Sequence, residues 1–348
     1  MNTELRQILR ANGEKYPQME PQDAVKLVYQ NEFGGGHLIS DPDASYSRLS
    51  EEASKRSGAP SEEFEPIGNG IVRVNLGGDY PLDLLNRDFI RSAATVSGDL
   101  SSFEEKLTDL RAVTEEGCFA FSLEALDRYL EAYRNAGYPM VSHSDPYRTA
   151  YQPAYRIVLR RFSLPLLLQE VQERSRRSEN LILAIDGRCA SGKSTFADEL
   201  HRRFGWSVIH MDDFFLRPEQ RTPERYAAPG ENVDHERFLE EVLLPLRDGA
   251  LSSYRPFDCS VMEIAEPVSF EKTPVTIVEG SYSCHPSLRS LYDMRVFLTI
   301  DPEQQLQRLA KRDITKLDAF RERWIPLEEM YFRAYSVDAF CDYVLERS

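Results

Sequence analysis

Apolar and polar residues follow two rhythms along this chain, and the change of rhythm divides it. In the first half the spacing is mainly helical, over Thr3–Asn12, over Pro21–Gln30 with Ala24, Val25, Leu27 and Val28 as an apolar face, and over residues 83–95, 102–113 and 122–136. One alternating run, Gly70–Leu76, reads as a strand closed by a Gly77-Gly78-Asp79 turn. In the second half, apolar-rich stretches of strand length recur at Leu181–Ile185, Trp206–Met211, Pro274–Gly280 and Met294–Ile300, with a weaker one at Asp342–Glu346. Helical stretches separate them, so the pattern predicts a parallel doubly wound α/β sheet with right-handed crossovers. The polar run Gln172–Asn180 lies between two apolar segments and reads as the inter-domain connection. The expected organisation is a mainly helical α+β domain over residues 1–175 and an α/β domain over 180–348.

Composition narrows the class. At 348 residues the chain suits two domains, and 41% hydrophobic with 28% charged residues describes a soluble globular protein. A formal charge of −15 argues against nucleic acid or an anionic membrane as partner, though not against a locally held nucleotide. No apolar run approaches membrane-spanning length, and MNTELRQILR carries charges where a signal peptide needs an apolar core, so a cytoplasmic location is expected. The five cysteines include no C-x-x-C pair and suggest neither a disulfide framework nor a structural zinc site.

The strand Leu181–Ile185 runs through Asp186 into Gly187, followed by Gly192, Lys193 and Ser194, completing G-x-x-x-x-G-K-[ST]. In such a loop the glycines let successive backbone N–H groups face phosphate oxygens, and the following helix adds the positive end of its dipole. Gly187, Ala190, Ser191, Gly192, Lys193, Ser194 and Thr195 are therefore the expected nucleotide-binding residues, with ATP and Mg2+ as cofactors. Lys193 would reach the β- and γ-phosphates, and Ser194 would place its hydroxyl on magnesium. Cys189, inside the loop, reads as a small inert residue more readily than as a thiolate depressed by the helix terminus. Two further strands end in acids. Asp212, followed by Asp213, can accept the proton of an attacking hydroxyl, and Glu279 can hold magnesium directly or through water. Arg308 and Arg312 fall four apart on the helical stretch Gln304–Asp313 and can close over a triphosphate. Arg255 either meets an anionic substituent of the acceptor or is a solvated loop residue.

In the first half, Gln30, Glu32, His37, Arg73 and Arg156 are polar groups in glycine, strand or aromatic context, and Gly34-Gly35-Gly36 precedes His37. Glu32, His37, Arg73 and Arg156 either line a second small-molecule pocket or satisfy hydrogen bonds around a domain core.

The order of motifs resembles the uridine kinase family, within the group that includes phosphoribulokinase and bacterial pantothenate kinase. The matching pieces are GRCASGKST, MDDFF, NVDHERF (Asn232–Phe238), VEGSYSCHPSLRSLYDMRVFLTID (Val278–Asp301) and RLAKRD (Arg308–Asp313), covering nearly all of residues 180–348 and none of the first half. The resemblance implies a P-loop kinase fold and transfer of a phosphoryl group from ATP to a small-molecule hydroxyl. Asp212 corresponds to the general base, Ser194 and Glu279 to magnesium positions, Asp234 to a contact with substrate hydroxyls, and Arg308 and Arg312 to lid residues. Where uridine- or cytidine-specific members carry a tyrosine and a base-reading histidine, this chain has Phe257 and Met262. A nucleoside, a sugar or another alcohol is thus the expected acceptor. The alternatives are an ATP-binding regulatory or degenerate kinase module controlling the first half, and a nucleotide switch suggested by Thr315-Lys316-Leu317-Asp318.

Overall fold

Each half of the chain builds around its own sheet. The computed structural model describes residues 2–35, 41–56, 60–178 and 180–346, and contacts separate Met1–Ser163 from Leu164–Ser348. Among the described residues no helix is long and apolar enough to cross a membrane.

The first unit is mainly helical. Helices α1 (Thr3–Lys15), α2 (Pro21–Phe33) and α3 (Pro42–Ser54) precede a hairpin of β1 (Phe64–Gly68) and β2 (Ile71–Asn75). After α4 (Leu82–Thr95), α5 (Leu100–Glu115), α6 (Leu123–Asn135) and α7 (Asp145–Tyr151), β3 (Tyr155–Leu159) returns antiparallel to β2 and completes the sheet β1-β2-β3. Side-chain caps fix several helix starts: Asn2 accepts from the Leu5 N–H, Asp99 from Ser101 and Ser102, and Ser122 from Ala125. The apolar faces expected from periodicity do meet in one core, with Leu5, Leu9, Val25, Val28, Phe103, Leu107, Leu126 and Leu130 buried together. The strands flanking β2 escaped the pattern because Pro66 and Gly68 interrupt β1 and Tyr155-Arg156 opens β3 with polar tips.

A polar centre runs through this core. Arg73, in the middle of β2 and 2% exposed, donates to Gln30 Oε1 from Nε (2.9 Å) and Nη2 (2.6 Å) and to Glu65 Oε2 from Nη1 (3.3 Å). Its guanidinium lies 4.8 Å from the centre of the Tyr155 ring. The Tyr155 hydroxyl is 2.7 Å from His143 Nε2, and His143 Nδ1 is 2.9 Å from Asp23 Oδ1. Burial holds the His143 imidazole down to about 4, so at neutral pH its Nδ1–H donates to Asp23 and its Nε2 accepts from Tyr155. The chain Asp23, His143, Tyr155, Gln30, Arg73, Glu65 therefore joins α2 to all three strands. Removing one member strands the others in a dry interior.

The second unit opens with α8 (Leu164–Ser175), whose apolar side buries Leu166, Leu167 and Val171. The polar stretch expected as a connection thus continues a helix up to Ser175, and α8 belongs to the second unit. It is tied there by the Tyr343 hydroxyl donating to Glu170 Oε2 (2.6 Å) and by Arg174 Nη1 on the Asp293 carbonyl (3.2 Å). The strands β4 (Leu181–Gly187), β5 (Ser207–His210), β10 (Val275–Glu279), β11 (Met294–Thr299) and β12 (Tyr343–Glu346) form one sheet, in the order β12-β11-β4-β10-β5 with every pair parallel. Between β5 and β10, two short ladders pair β6 (Ser253–Tyr254) with β9 (Val268–Ser269) and β7 (Phe257–Asp258) with β8 (Glu263–Ile264). This is the P-loop doubly wound arrangement, with the wholly buried β4 in the middle.

Replacing Arg73 with Ala would leave Glu65 and Gln30 unpaired in the core. Urea denaturation of the full chain should then show the first unit losing about 3–5 kcal/mol; a loss below about 1 kcal/mol would show that this centre is dispensable.

Candidate active site

Strand register sets the site. Glu279, last in β10, is paired with Ile185 of β4 on one side and His210 of β5 on the other. The carboxyl ends of these strands therefore stand level, and the phosphate-binding loop leaves from the same edge. Within the loop Ala190 (φ +59°) and Gly192 (φ +91°) are left-handed. Gly187 is demanded by packing: a Cβ there would lie 2.0 Å from the Leu298 carbonyl oxygen of β11. The helix α9 (Lys193–Phe204) follows.

The Lys193 ammonium donates to the carbonyls of Gly187 (2.8 Å) and Arg188 (3.0 Å). Ser194 Oγ is 3.2 Å from Glu279 Oε2, and His210 Nδ1 is 2.5 Å from Glu279 Oε1. This pairing raises the His210 pKa. Asp212 sits just past β5; its surface is open to solvent, yet protein crowds it closely enough that burial, and then the Glu279 charge, push its carboxyl up while Lys193 opposes them. Asp213 accepts from the Tyr254 hydroxyl at 3.0 Å.

Residues that the sequence did not single out hold the loop in shape. Asp186, 0% exposed, accepts from the N–H groups of Gly187 (2.6 Å), Tyr282 (3.1 Å) and Cys284 (2.8 Å) and from the Tyr331 hydroxyl (2.8 Å). Glu328, on the helix Ile325–Tyr335, accepts from the Cys189 N–H (2.9 Å) and the Ser281 hydroxyl (2.6 Å). Burial and then Glu328 push the Cys189 thiol up to about 12, which removes the thiolate reading. The one signal for Asp186 was an acid ending an apolar strand. His210 was visible only as the neighbour of Met211-Asp212, and Glu328, 139 residues from Cys189, had none.

The other expected residues divide. Arg308, on the helix Pro302–Arg312, donates to the Ala190 carbonyl of the loop (3.3 Å), whereas Arg312 is exposed at the end of that helix. Asp234, 1% exposed, caps the turn His235–Phe238, and its N–H donates to the Phe214 carbonyl (2.7 Å), which seats it beside the turn carrying Asp212. Its Oδ2 has no hydrogen-bond partner and lies 3.5 Å from Arg217 Nε and 3.8 Å from Arg237 Nε. The Arg255 side chain is half exposed, 3.5 Å from Glu241 Oε1, while its carbonyl accepts from Arg237. Thr315–Asp318 falls in helical turns and not at a strand end, contrary to what a guanine-reading switch motif needs.

In the first unit, Glu32 pairs with Lys106 (2.6 Å) and accepts from Ser102 and Asp99, Arg156 pairs with Glu52 (2.8 Å), and Arg73 belongs to the polar centre described above. Each is taken up by a different set of partners. His37 lies outside the described residues.

Residues 182–323 match the model of the Phosphoribulokinase / Uridine kinase family. Uridine-cytidine kinase B of Dictyostelium discoideum is 30% identical over 177 residues, covering 47% of this chain and 69% of that protein. The chain belongs to the phosphoribulokinase/uridine kinase family. A uridine kinase of Clostridium perfringens is 29% identical over 146 residues, covering 39% of this chain and 69% of its own length. The structure described as a possible uridine kinase from Bacillus stearothermophilus covers 52% of this chain and 99% of its own, at 20% identity and a TM-score of 0.38. The family makes the second unit a kinase of the uridine kinase/phosphoribulokinase type.

Asp186 receives donors on every side, so the near-isosteric Asp186→Asn substitution turns an NH2 group toward N–H and O–H groups. It should cost roughly 1–3 kcal/mol in urea denaturation of the second unit; wild-type stability in that variant would contradict the assigned donor cluster.

Proposed function

We propose that the second unit is a Mg2+- and ATP-dependent kinase that phosphorylates a hydroxyl group of a nucleoside-like molecule, a sugar or another small alcohol. The observation that carries this reading is the 3.2 Å approach of Ser194 Oγ to Glu279 Oε2 at the strand ends from which the phosphate-binding loop departs. A hydroxyl and a buried carboxylate form an oxygen donor pair suited to a hard cation, so Ser194 and Glu279 would hold magnesium. Bound there, the ion neutralises charge on the terminal phosphates.

The chain's own groups account for the rest. Loop N–H groups from Ala190 to Thr195 bind phosphate oxygens, and Lys193 exchanges its two carbonyl partners for charged oxygens. Asp212 takes the proton of the acceptor hydroxyl as that oxygen bonds to the γ-phosphorus. The bond from phosphorus to the bridging oxygen breaks, and ADP leaves with the electron pair. Its raised carboxyl pKa brings Asp212 closer to the operating pH, which favours a general base. Arg308, already against the loop, opposes the charge that develops in transfer, with the exposed Arg312 as the second lid contact. The orphaned Oδ2 of buried Asp234 is an acceptor for a substrate hydroxyl. Phe257 and Met262 supply none of the polar groups needed to read a pyrimidine edge, which favours acceptors other than uridine.

Two measurements test the reading. Mg-ATP with a panel of nucleosides, sugars and small alcohols should release ADP with at least one acceptor class, and ATP turnover with none would defeat it. With that acceptor, Asp212→Asn should lower kcat by about 10²–10⁴-fold while ATP affinity changes little, and the wild-type acidic limb should lie above the ordinary aspartate range because the base must be deprotonated.

A further inference from the structure

Glu231, His235 and His285 face one another beside the acceptor-side segment, and one donor atom from each lies within 4.8 Å of the others. His235 Nε2 is 3.1 Å from Glu231 Oε1 and Oε2, and His285 Nε2 is 3.8 Å from Glu231 Oε1. Both histidines are buried, with side-chain exposures of 10% for His235 and 7% for His285. Among the described residues the Nε2 atom of His285 has no hydrogen-bond partner. A buried ring nitrogen aimed at a carboxylate it does not bond is an open ligand position, since such atoms are otherwise satisfied.

The surroundings are those of a ligand set. The Ser287 hydroxyl is 2.7 Å from His285 Nδ1 and 3.2 Å from His235 Nδ1, and the Ser287 N–H is 3.3 Å from His285 Nδ1; for both Nε2 atoms to ligate, each Nδ1 must carry the proton and face the hydroxyl oxygen, which can accept from both. Holding both Nδ1 atoms leaves both Nε2 atoms toward Glu231, which is how outer partners orient metal-binding histidines. Arg225 approaches Glu231 (3.4 Å) and Glu236 (2.7 Å), so two carboxylates face one guanidinium there.

We infer that Glu231, His235 and His285 form a binding site for a zinc-class divalent ion, separate from the Ser194–Glu279 pair. Two imidazoles and one carboxylate select borderline ions such as Zn2+ over Mg2+, with a water completing the set. The rings now stack with centres 4.0 Å apart and planes at 18°. Binding would require the rings to leave this stack so that each turns an unprotonated Nε2 toward the ion. The ion would link residues 231–235, which include Asp234, to the turn Ser281–Leu288, whose Tyr282 N–H is held by Asp186. The five cysteines take no part, so a sequence search built on them passes over this site. The inference does not depend on the kinase reading.

Cobalt titration of the chelator-stripped full chain tests it directly. The wild type should bind about one Co2+ in a low-symmetry site with intense visible d–d bands, displaced by Zn2+ but not by excess Mg2+. Free Zn2+ at about 100-fold above its Kd should also raise the melting temperature of the second unit by roughly 5 °C. His285→Gln, which keeps the size of the side chain, and His235→Ala should each weaken Co2+ binding by about 100-fold. His210→Ala, altering the Ser194–Glu279 neighbourhood instead, should retain the bands. Absence of visible bands in the wild type overturns the assignment whatever the variants do. Bands that survive His285→Gln and His235→Ala, or vanish in His210→Ala, overturn it as well.

Discussion

Three parallel strands of the second unit end at the same height, and everything chemical in that unit follows from this alignment. Pairing of Glu279 with both Ile185 and His210 is a backbone constraint, set by ladder hydrogen bonds and by β-rich apolar runs that are buried on both faces. A slip by one residue would turn Glu279 to the opposite face and carry it away from Ser194. The sheet therefore places an acid, a hydroxyl and a phosphate-binding loop together before any side chain adjusts. Gly187 extends the constraint to β11, because only a residue without Cβ can pass the Leu298 carbonyl so closely.

The loop itself is held by buried acids whose oxygens are taken up by the protein's own donors. Asp186 gathers four donors below it, and Glu328 fixes the Cys189 N–H from the side. A loop of small residues has little conformational preference of its own, and these buried carboxylates supply the missing definition. Pre-ordered amides lose less freedom when an anion binds, which is the physical basis of preorganisation. The same device recurs in the first unit in another form, where buried Arg73 organises Gln30, Glu65 and Tyr155 around itself.

Long periodic segments and the phosphate-loop motif were legible in the chain because they are local. The strands β4, β10 and β11, and the helices α1, α2, α5 and α6, follow from spacing alone, with boundaries moved by a few residues. The misses are non-local. β1 and β3 are strands only because β2 lies between them, and the last turn of α8 reads as connection in the sequence, whereas Arg174 and Glu170 tie the helix to Asp293 and Tyr343. Glu32, Arg73 and Arg156 stand out in the sequence as polar groups in unusual settings, but their partners, Lys106, Gln30 with Glu65, and Glu52, lie elsewhere along the chain. The histidine pair His235 and His285 illustrates the same limit, since a separation of 50 positions in the sequence conceals a 4.0 Å stack.

The grip of Glu328 on the Cys189 N–H also has a temporal side. The two residues are 139 positions apart, and a ribosome adds roughly 5–20 residues per second. A nascent chain would thus expose its nucleotide cradle for about 7–28 s before the helix that steadies it has been made. Until β11 is made, part-way through that interval, β4 lacks its neighbour on that side, so the central strand of the finished sheet begins its existence with an unprotected edge.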